Sequence, residues 1–429
     1  MDDRKGIDAD IVPISFGIGR HHQANRLRRY DNSQSIYRGA NMKKSLILSL
    51  SLAMLMPQIR AEPTAASPSP ATYPTKFETV PSDEAAQIAE TIDLTLKLEE
   101  KRYADRLARR GVHPKAHGCV QAKFTVNPDI PEEYKVGVLA QPGKTYDAWI
   151  RFSNATALVT PDALNGIDPT TRKPIKEANS RGMAIKLMGV EGSTLLGEPG
   201  AKTQDFLLIN QPMFAFPNVH EYLEVTKVQY ENNEDLTKYF SVSPPLPQRF
   251  KTLSIVRQIK ATKLANPLET AYFSASPFLF GKDKVAKFSV LPRDATQSPM
   301  PADLSDNYLR EALKKSLDVT EGKPAVFDFR VQIRKDDSLP IEDASAEWIG
   351  GDAAKFQNVA TITIDKQNFD EPLRETECEH LVFTPWHGLV DFQPLGGINR
   401  LRLGVYNASA KFRAQTREPS GFPPIVPPK

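Results

Sequence analysis

Arg402 and Tyr406 stand four residues apart in Arg402-Leu403-Gly404-Val405-Tyr406, a spacing that on a helix stacks a guanidinium against a phenol. A fixed positive charge favours phenolate, and phenolate is a hard, electron-rich ligand for a ferric ion. A solvated helix face shows the same spacing, so its meaning depends on what else the chain brings to that place. Arg110-Gly111-Val112-His113 offers an imidazole three residues after a guanidinium, with His117 close behind. Histidine can move protons near neutral pH, although a helix end with a solvated histidine reads the same way. In Trp149-Ile150-Arg151-Phe152-Ser153, period-two alternation puts Trp149, Arg151 and Ser153 on one face and Ile150 and Phe152 on the other. A charge on that face calls for an anion, from the protein or from a ligand. Asn210 precedes Gln211-Pro212-Met213-Phe214-Ala215-Phe216. That is ordinary turn chemistry, and it also sets an amide above an aromatic cluster.

The elements that must carry these groups follow from periodicity. Residues 82–111 read as one long amphipathic helix, with Ser82 as its cap, Ile88, Ile92, Leu96 and Leu107 at helical spacing, and Gly111 as its end. Strands are expected over 119–126, 146–153, 182–190, 205–210, 287–291, 326–333 and 359–364, and helices over 220–232, 248–264, 306–316 and 397–413. Strands that follow one another largely without intervening helices predict an α+β chain, an antiparallel sheet or barrel with helices added. The sequence contains no internal repeat, no Gly-rich phosphate loop and no Cys/His cluster at zinc spacing.

A chain of 429 residues with 40% hydrophobic and 25% charged residues is ordinary globular material, long enough for one large domain or two smaller ones. Its net charge of +3 is spread over interspersed Lys, Arg, Asp and Glu, which excludes the basic footprint of a nucleic-acid binder. The 35 prolines make it loop-heavy. Its two cysteines, Cys119 and Cys378, could form one bridge in an oxidising compartment or stay as separate buried thiols.

Met42-Lys43-Lys44, the apolar run 45–56 and Gln58-Ile59-Arg60-Ala61 read as the three regions of a signal peptide cleaved after Ala61. The run is shorter than the roughly 20 apolar residues of a spanning helix. Export to the periplasm, with no stable membrane span after cleavage, is therefore expected. Residues 1–41 look like a non-native extension ahead of a true start at Met42; the alternatives are an unusually long leader or an uncleaved anchor. Residues 62–81 read as a linker, 82–418 as the folded domain and 419–429 as a Pro-rich tail.

Taken in order, these motifs resemble the catalase family. Arg-x-x-His matches Arg110 and His113, Val-Arg-Phe-Ser matches residues 150–153, and Arg-Gly-x-Ala-x-Lys matches Arg181 to Lys186. Asn-x-Pro-x-Phe matches Asn210 to Phe214, and Arg-x-x-x-Tyr with a later arginine matches Arg402, Tyr406 and Arg413. The set covers residues 103–413 and is specific only as a set. The resemblance implies an antiparallel β-barrel core with surrounding helices and a bound haem b. By position, it makes Tyr406 the iron ligand, Arg402 the charge that keeps it deprotonated, His113 the acid–base group, Ser153 its hydrogen-bond partner and Asn210 the group that orients peroxide. Arg110, Arg151 and Arg413 would clamp the propionates, and Phe214 or Phe216 would line the pocket. His117 is the rival base; His113 is preferred because it keeps the three-residue step from Arg110.

The chain departs from an ordinary catalase in having only 16 residues after Arg413, so the large C-terminal domain and wrapping arms are expected to be missing. That similarity is to short catalase-related peroxidases, and it withdraws support from an NADPH site and from tetramer assembly, while leaving a homo-oligomer open. The expected activity is reduction of organic hydroperoxides and hydrogen peroxide with weak catalase activity and an unidentified electron donor. The alternatives are a haem-binding or storage protein and a hydroperoxide isomerase of the allene oxide synthase type. Those synthases carry Thr before the distal histidine, where Val112 stands here.

Overall fold

A computed structural model of the chain describes residues 74–416 apart from 168–170, 172, 198–200, 242–245, 295 and 350–354. The expected extension, signal peptide and tail lie outside the described residues. The chain runs from helix α1 (Glu84–Arg102) to strands β1 (Ala116–Val126) and β2 (Thr145–Asn154). A two-stranded ribbon, β3 (Leu164–Ile167) with β4 (Pro174–Glu177), precedes β5 (Arg181–Met188) and β6 (Thr203–Ile209). Helices α2 (Val219–Glu231), α3 (Thr237–Phe240) and α4 (Pro247–Ala261) follow, then β7 (Tyr272–Phe273), β8 (Phe278–Phe280) and β9 (Lys284–Pro292). Last come α5 (Tyr308–Ser316), β10 (Ala325–Ile333), β11 (Gln357–Ile364), α6 (Pro372–His380) and α7 (Gly397–Gln415).

Eight antiparallel strands close a barrel in the order β10-β11-β1-β2-β5-β6-β7-β9, with β9 pairing back to β10 and β8 appended to β9. Closure removes the exposed edges that an open sheet would leave. Period-two alternation sends one side of each strand into the lumen. There Phe124, Phe152, Phe206, Phe288, Phe329 and Ile362 form a single buried cluster, with the Phe206 ring centroid 4.8 Å from Phe329 and 5.0 Å from Phe288. Packed aromatics fill the barrel, so the site must lie outside it. The same alternation turns Trp149, Arg151 and Ser153 to the outer face, as their spacing predicts.

Helices α1, α2 and α7 pack against one another, and Gly404 permits the approach of α7 to α1, since a Cβ there would stand 2.5 Å from Ile92 Cδ1. Arg400 locks the same junction from within. Its fully buried guanidinium meets Glu84 at 2.5 Å, Glu78 at 2.7 Å and Glu342 at 2.8 Å. Glu78 and Phe77, which packs against the cluster around Trp348, tie down the last residues of the expected linker. Helix α1 ends at Arg102, nine residues before Gly111. Leu107, whose spacing extended the expected helix, is 61% exposed, and the chain leaves the helix to carry Arg110 and His113 to the barrel wall. Asp83, not Ser82, stands at the helix start, with no side-chain cap.

Candidate functional site

The outer faces of β2, β5 and β6, the loop before β1, the loop after α6 and the inner face of α7 enclose two adjoining cavities of about 550 and 740 Å³, mouths included. Arg110, His113, Arg151, Ser153, Arg402 and Tyr406 line the first; Arg110, Tyr406 and Arg413 line the second. Residues as distant in sequence as Arg110 and Arg413 thus meet in one place, with His113 coming from the sheet side and Tyr406 from the helix side.

His113 takes a left-handed backbone, φ 57°, which costs a non-glycine residue free energy and recurs at functional sites. Its amide donates to Thr156 O at 2.9 Å, and its Nδ1 lies 2.9 Å from Ser153 Oγ. With Nδ1–H given to Ser153, Nε2 is the lone pair left for a substrate. Burial, and then the charges of Arg151, Arg402 and Arg110, push its pKa down to about 3, so the imidazole is neutral and able to accept a proton. Gly182 makes this stance possible, because a Cβ there would stand 2.4 Å from His113 Nδ1. The rival His117 is buried behind the wall, 3.6 Å from Asp162, which also holds Lys115 at 2.7 Å. It does not line the cavity.

Three guanidiniums gather at one edge. Arg110 Nη1 donates to Glu379 Oε1 at 2.7 Å, and its Nη2 donates to Cys378 O at 2.9 Å and Leu381 O at 2.7 Å. Arg151, 3% exposed, lies 3.7 Å from the same carboxylate, and its Nε is buried with no hydrogen-bond partner. Arg413 Nη2 reaches Leu381 O at 3.5 Å. Burial and the neighbouring Arg110 lower the Arg151 pKa well below its usual range. Arg110 and Arg151 share the Glu379 carboxylate, and with Arg413 beside Leu381 this edge presents guanidinium donors of the kind that bind carboxylates.

On the helix side, Arg402 donates to Asn399 Oδ1 at 3.2 Å and lies 5.8 Å from the Phe214 ring; among the described residues no hydrogen bond joins it to Tyr406. Tyr222 is near both, and burial, followed by the Tyr406 phenol, raises its pKa to about 12. Phe214, Phe216 and Tyr222 stack beneath this corner. Neither phenylalanine lines the cavities, nor does Asn210. The Asn210 Oδ1 instead accepts from Arg181 N at 2.7 Å and Ser180 Oγ at 3.4 Å.

Several residues at the site carried no signal on their own. Glu379 belongs to a charge-rich helix without apolar period, and Phe383 and Val382 lie in a loop. Glu99, buried between α1 and α7, lines the second cavity and shares a hydrogen bond with Ser409 at 3.1 Å. Burial raises its pKa to about 6. A disulfide joins Cys119 on β1 to Cys378 on α6, resolving the choice between a bridge and free thiols.

The residues fit a haem. The space is walled by apolar side chains such as Val112, Leu207, Val382 and Phe383, and the guanidinium edge with its orphaned Arg151 Nε suits two propionates. Among the described residues no group of three or more His, Cys, Asp or Glu could hold a metal ion.

No protein-family model and no curated protein matches the chain. Solved structures do. A fungal catalase matches at TM-score 0.55 and 15% identity, over 72% of this chain and 60% of that one. Catalase A from Saccharomyces cerevisiae matches at 0.55 and 15%, over 72% and 62%, and a bacterial catalase at 0.54 and 16%, over 82% and 66%. The chain spans less than two thirds of the length of each of these catalases. At such identity the likeness is one of architecture, and the conclusion it carries is that this chain has a catalase-like fold, a closed antiparallel barrel with helices around it.

Proposed function

We propose that the protein is an exported haem b peroxidase that reduces organic hydroperoxides and hydrogen peroxide, with weak catalase activity. The observation that carries this reading is the meeting of His113 and Tyr406 in one cavity edged by Arg110 and Arg151, with Arg413 lining the cavity that adjoins it. Tyr406 would ligate the iron, with Arg402 one turn before it on α7, and the three arginines would hold the propionates. When bound, the haem supplies the redox change that delivers electrons to the O–O bond. The neutral His113 Nε2 takes the proton from the near oxygen of a peroxide and returns it to the far oxygen, so that water or alcohol leaves. Ser153 and Gly182 hold the ring for that transfer. Asn210 would orient the peroxide only by turning its Nδ2 toward the first cavity, whose wall it backs through its Oδ1 contact with Arg181 N. The Cys119–Cys378 bridge supports an oxidising compartment, in keeping with the periplasm.

Purified protein reconstituted with haem should show a high-spin ferric spectrum, and Tyr406→Phe should lose or strongly alter it; an unchanged spectrum sinks the ligand assignment. Stopped-flow mixing with hydrogen peroxide and with cumene hydroperoxide then tests turnover. A storage protein would bleach without cycling, and an isomerase would consume hydroperoxide without an electron donor.

A further inference from the structure

Behind the site's wall lies a third cavity, of about 770 Å³, on the outer faces of β5 and β6. Its apolar lining includes Met188, Leu196, Val382 and Trp386, and its charged or titratable lining residues are Lys186, His380 and His387. No acidic residue is among those lining it. The polar end is organised by Asp205, a fully buried carboxylate. Its Oδ1 holds Lys186 Nζ at 2.6 Å, and its Oδ2 accepts from Thr384 N at 3.1 Å and lies 3.4 Å from His387 Nδ1. Asp205 N in turn donates to His387 O at 2.7 Å. A carboxylate 3.4 Å from Nδ1 favours the tautomer whose Nε2 is a lone pair, so this cavity contains an imidazole that the peroxide chemistry does not use.

One layer of side chains separates it from the haem cavities. Val382 lines both this cavity and the second site cavity, and the Phe383 ring lies 5.4 Å from Lys186 Nζ while facing both site cavities. An apolar slot with an aromatic wall, an imidazole and a nearby cation suits a flat apolar molecule with one acidic proton. We propose that this cavity binds the reducing co-substrate and that the co-substrate is a phenol or hydroquinone. The inference rests on the peroxidase reading above. Each phenol gives its proton to His387 Nε2 and one electron across the Phe383 layer, and leaves as a phenoxyl radical. The peroxide step releases ROH before any donor acts; two phenols then return two electrons, and His387 hands their two protons on to solvent, so that the sum is ROOH and two phenols giving ROH, water and two phenoxyl radicals.

The test uses the haem-loaded full chain and Ala201→Phe, which fills the cavity from a position outside the peroxide site, with His387→Gln as a second variant. Binding is read without turnover from the ¹⁹F line width of 4-fluorophenol, and turnover from hydrogen peroxide with hydroquinone. Ala201→Phe should weaken 4-fluorophenol binding and raise the hydroquinone KM, each by about tenfold or more, the scale of losing one pocket contact set. His387→Gln should lower hydroquinone kcat by about tenfold or more near neutral pH, as loss of a positioned base does, and regain activity as pH rises toward about 10, where a phenol arrives already ionised. In both variants the first, donor-free reaction with peroxide should stay within about twofold of wild type. Unchanged binding and unchanged KM in Ala201→Phe overturn the proposal. If the wild-type chain fails to react with peroxide, the peroxidase reading is what falls, and the line widths still decide whether the cavity takes a phenol.

Discussion

Gly182 decides where the His113 imidazole can stand. Alanine there would drive a methyl group into His113 Nδ1 and Ser153 Oγ, and the ring, already on a strained backbone, is the part free to yield. Gly182→Ala should therefore leave haem content unchanged and slow the peroxide step by about 10²-fold, close to His113→Ala; a slowing under threefold would show that the ring has another support. The same histidine links stability to acidity. Its folded pKa of about 3 lies below the unfolded value of 6.5, so the unfolded chain binds the extra proton in that interval and stability falls as pH drops from about 6.5 toward 3. His113→Gln should flatten this slope in urea titrations at pH 4, 5 and 6. The sequence motif announced that Gly182 follows an arginine, but its steric service to a residue 69 positions earlier depends on a packing that no local pattern encodes.

At the scale of elements, the strands of strong period two and helices α2, α4, α5 and α7 were legible within a few residues, because buried faces impose their spacing on the sequence. Helix α6 was not. Its Pro-Leu-Arg-Glu-Thr-Glu-Cys-Glu-His run has almost no apolar period, since it is held by the bridge at Cys378 and by the charges at its end. Yet Glu379 and the carbonyls of Cys378 and Leu381 set the arginine edge. Glu379 competes with any incoming carboxylate for Arg110 and Arg151, so Glu379→Gln should tighten haem binding, measured by the rate and extent of haem transfer to apomyoglobin. Weaker binding would mean that Glu379 positions the arginines more than it competes. The overreach of α1 has an opposite origin, an apolar Leu107 in register with a helix that tertiary geometry ends at Arg102.

For the whole molecule, the site and the core are separate structures. The lumen is filled by aromatic rings, whereas the cavities are made by what the barrel presents outward and by helices laid over it. Phe206→Ala should cost about 3–5 kcal/mol of stability through the void it opens, while the haem spectrum of the surviving folded fraction stays that of wild type. A changed spectrum would show that the lumen shapes the site directly. The fold was legible because the barrel repeats one rule along eight strands. The site was legible only as a set of distant motifs, and the third cavity not at all, because Asp205, Lys186 and His387 come together only when β5, β6 and the loop after α6 are assembled.

The disulfide has a consequence for how the protein matures. Cys119 is on β1 and Cys378 follows β11, and β1 pairs with β11, so the two thiols are brought together by the pairing of strands from opposite ends of the folded chain. Removing the bridge with Cys119→Ala should cost about 2–4 kcal/mol. Its oxidation then fixes residues 378–381, the segment on which Arg110 and Arg413 rest. On the proposed reading, haem capture would follow that oxidation. Chain refolded under dithiothreitol should accept haem slowly and lose it readily until the thiols are oxidised, and equal retention in both states would show that the arginine edge forms without its staple.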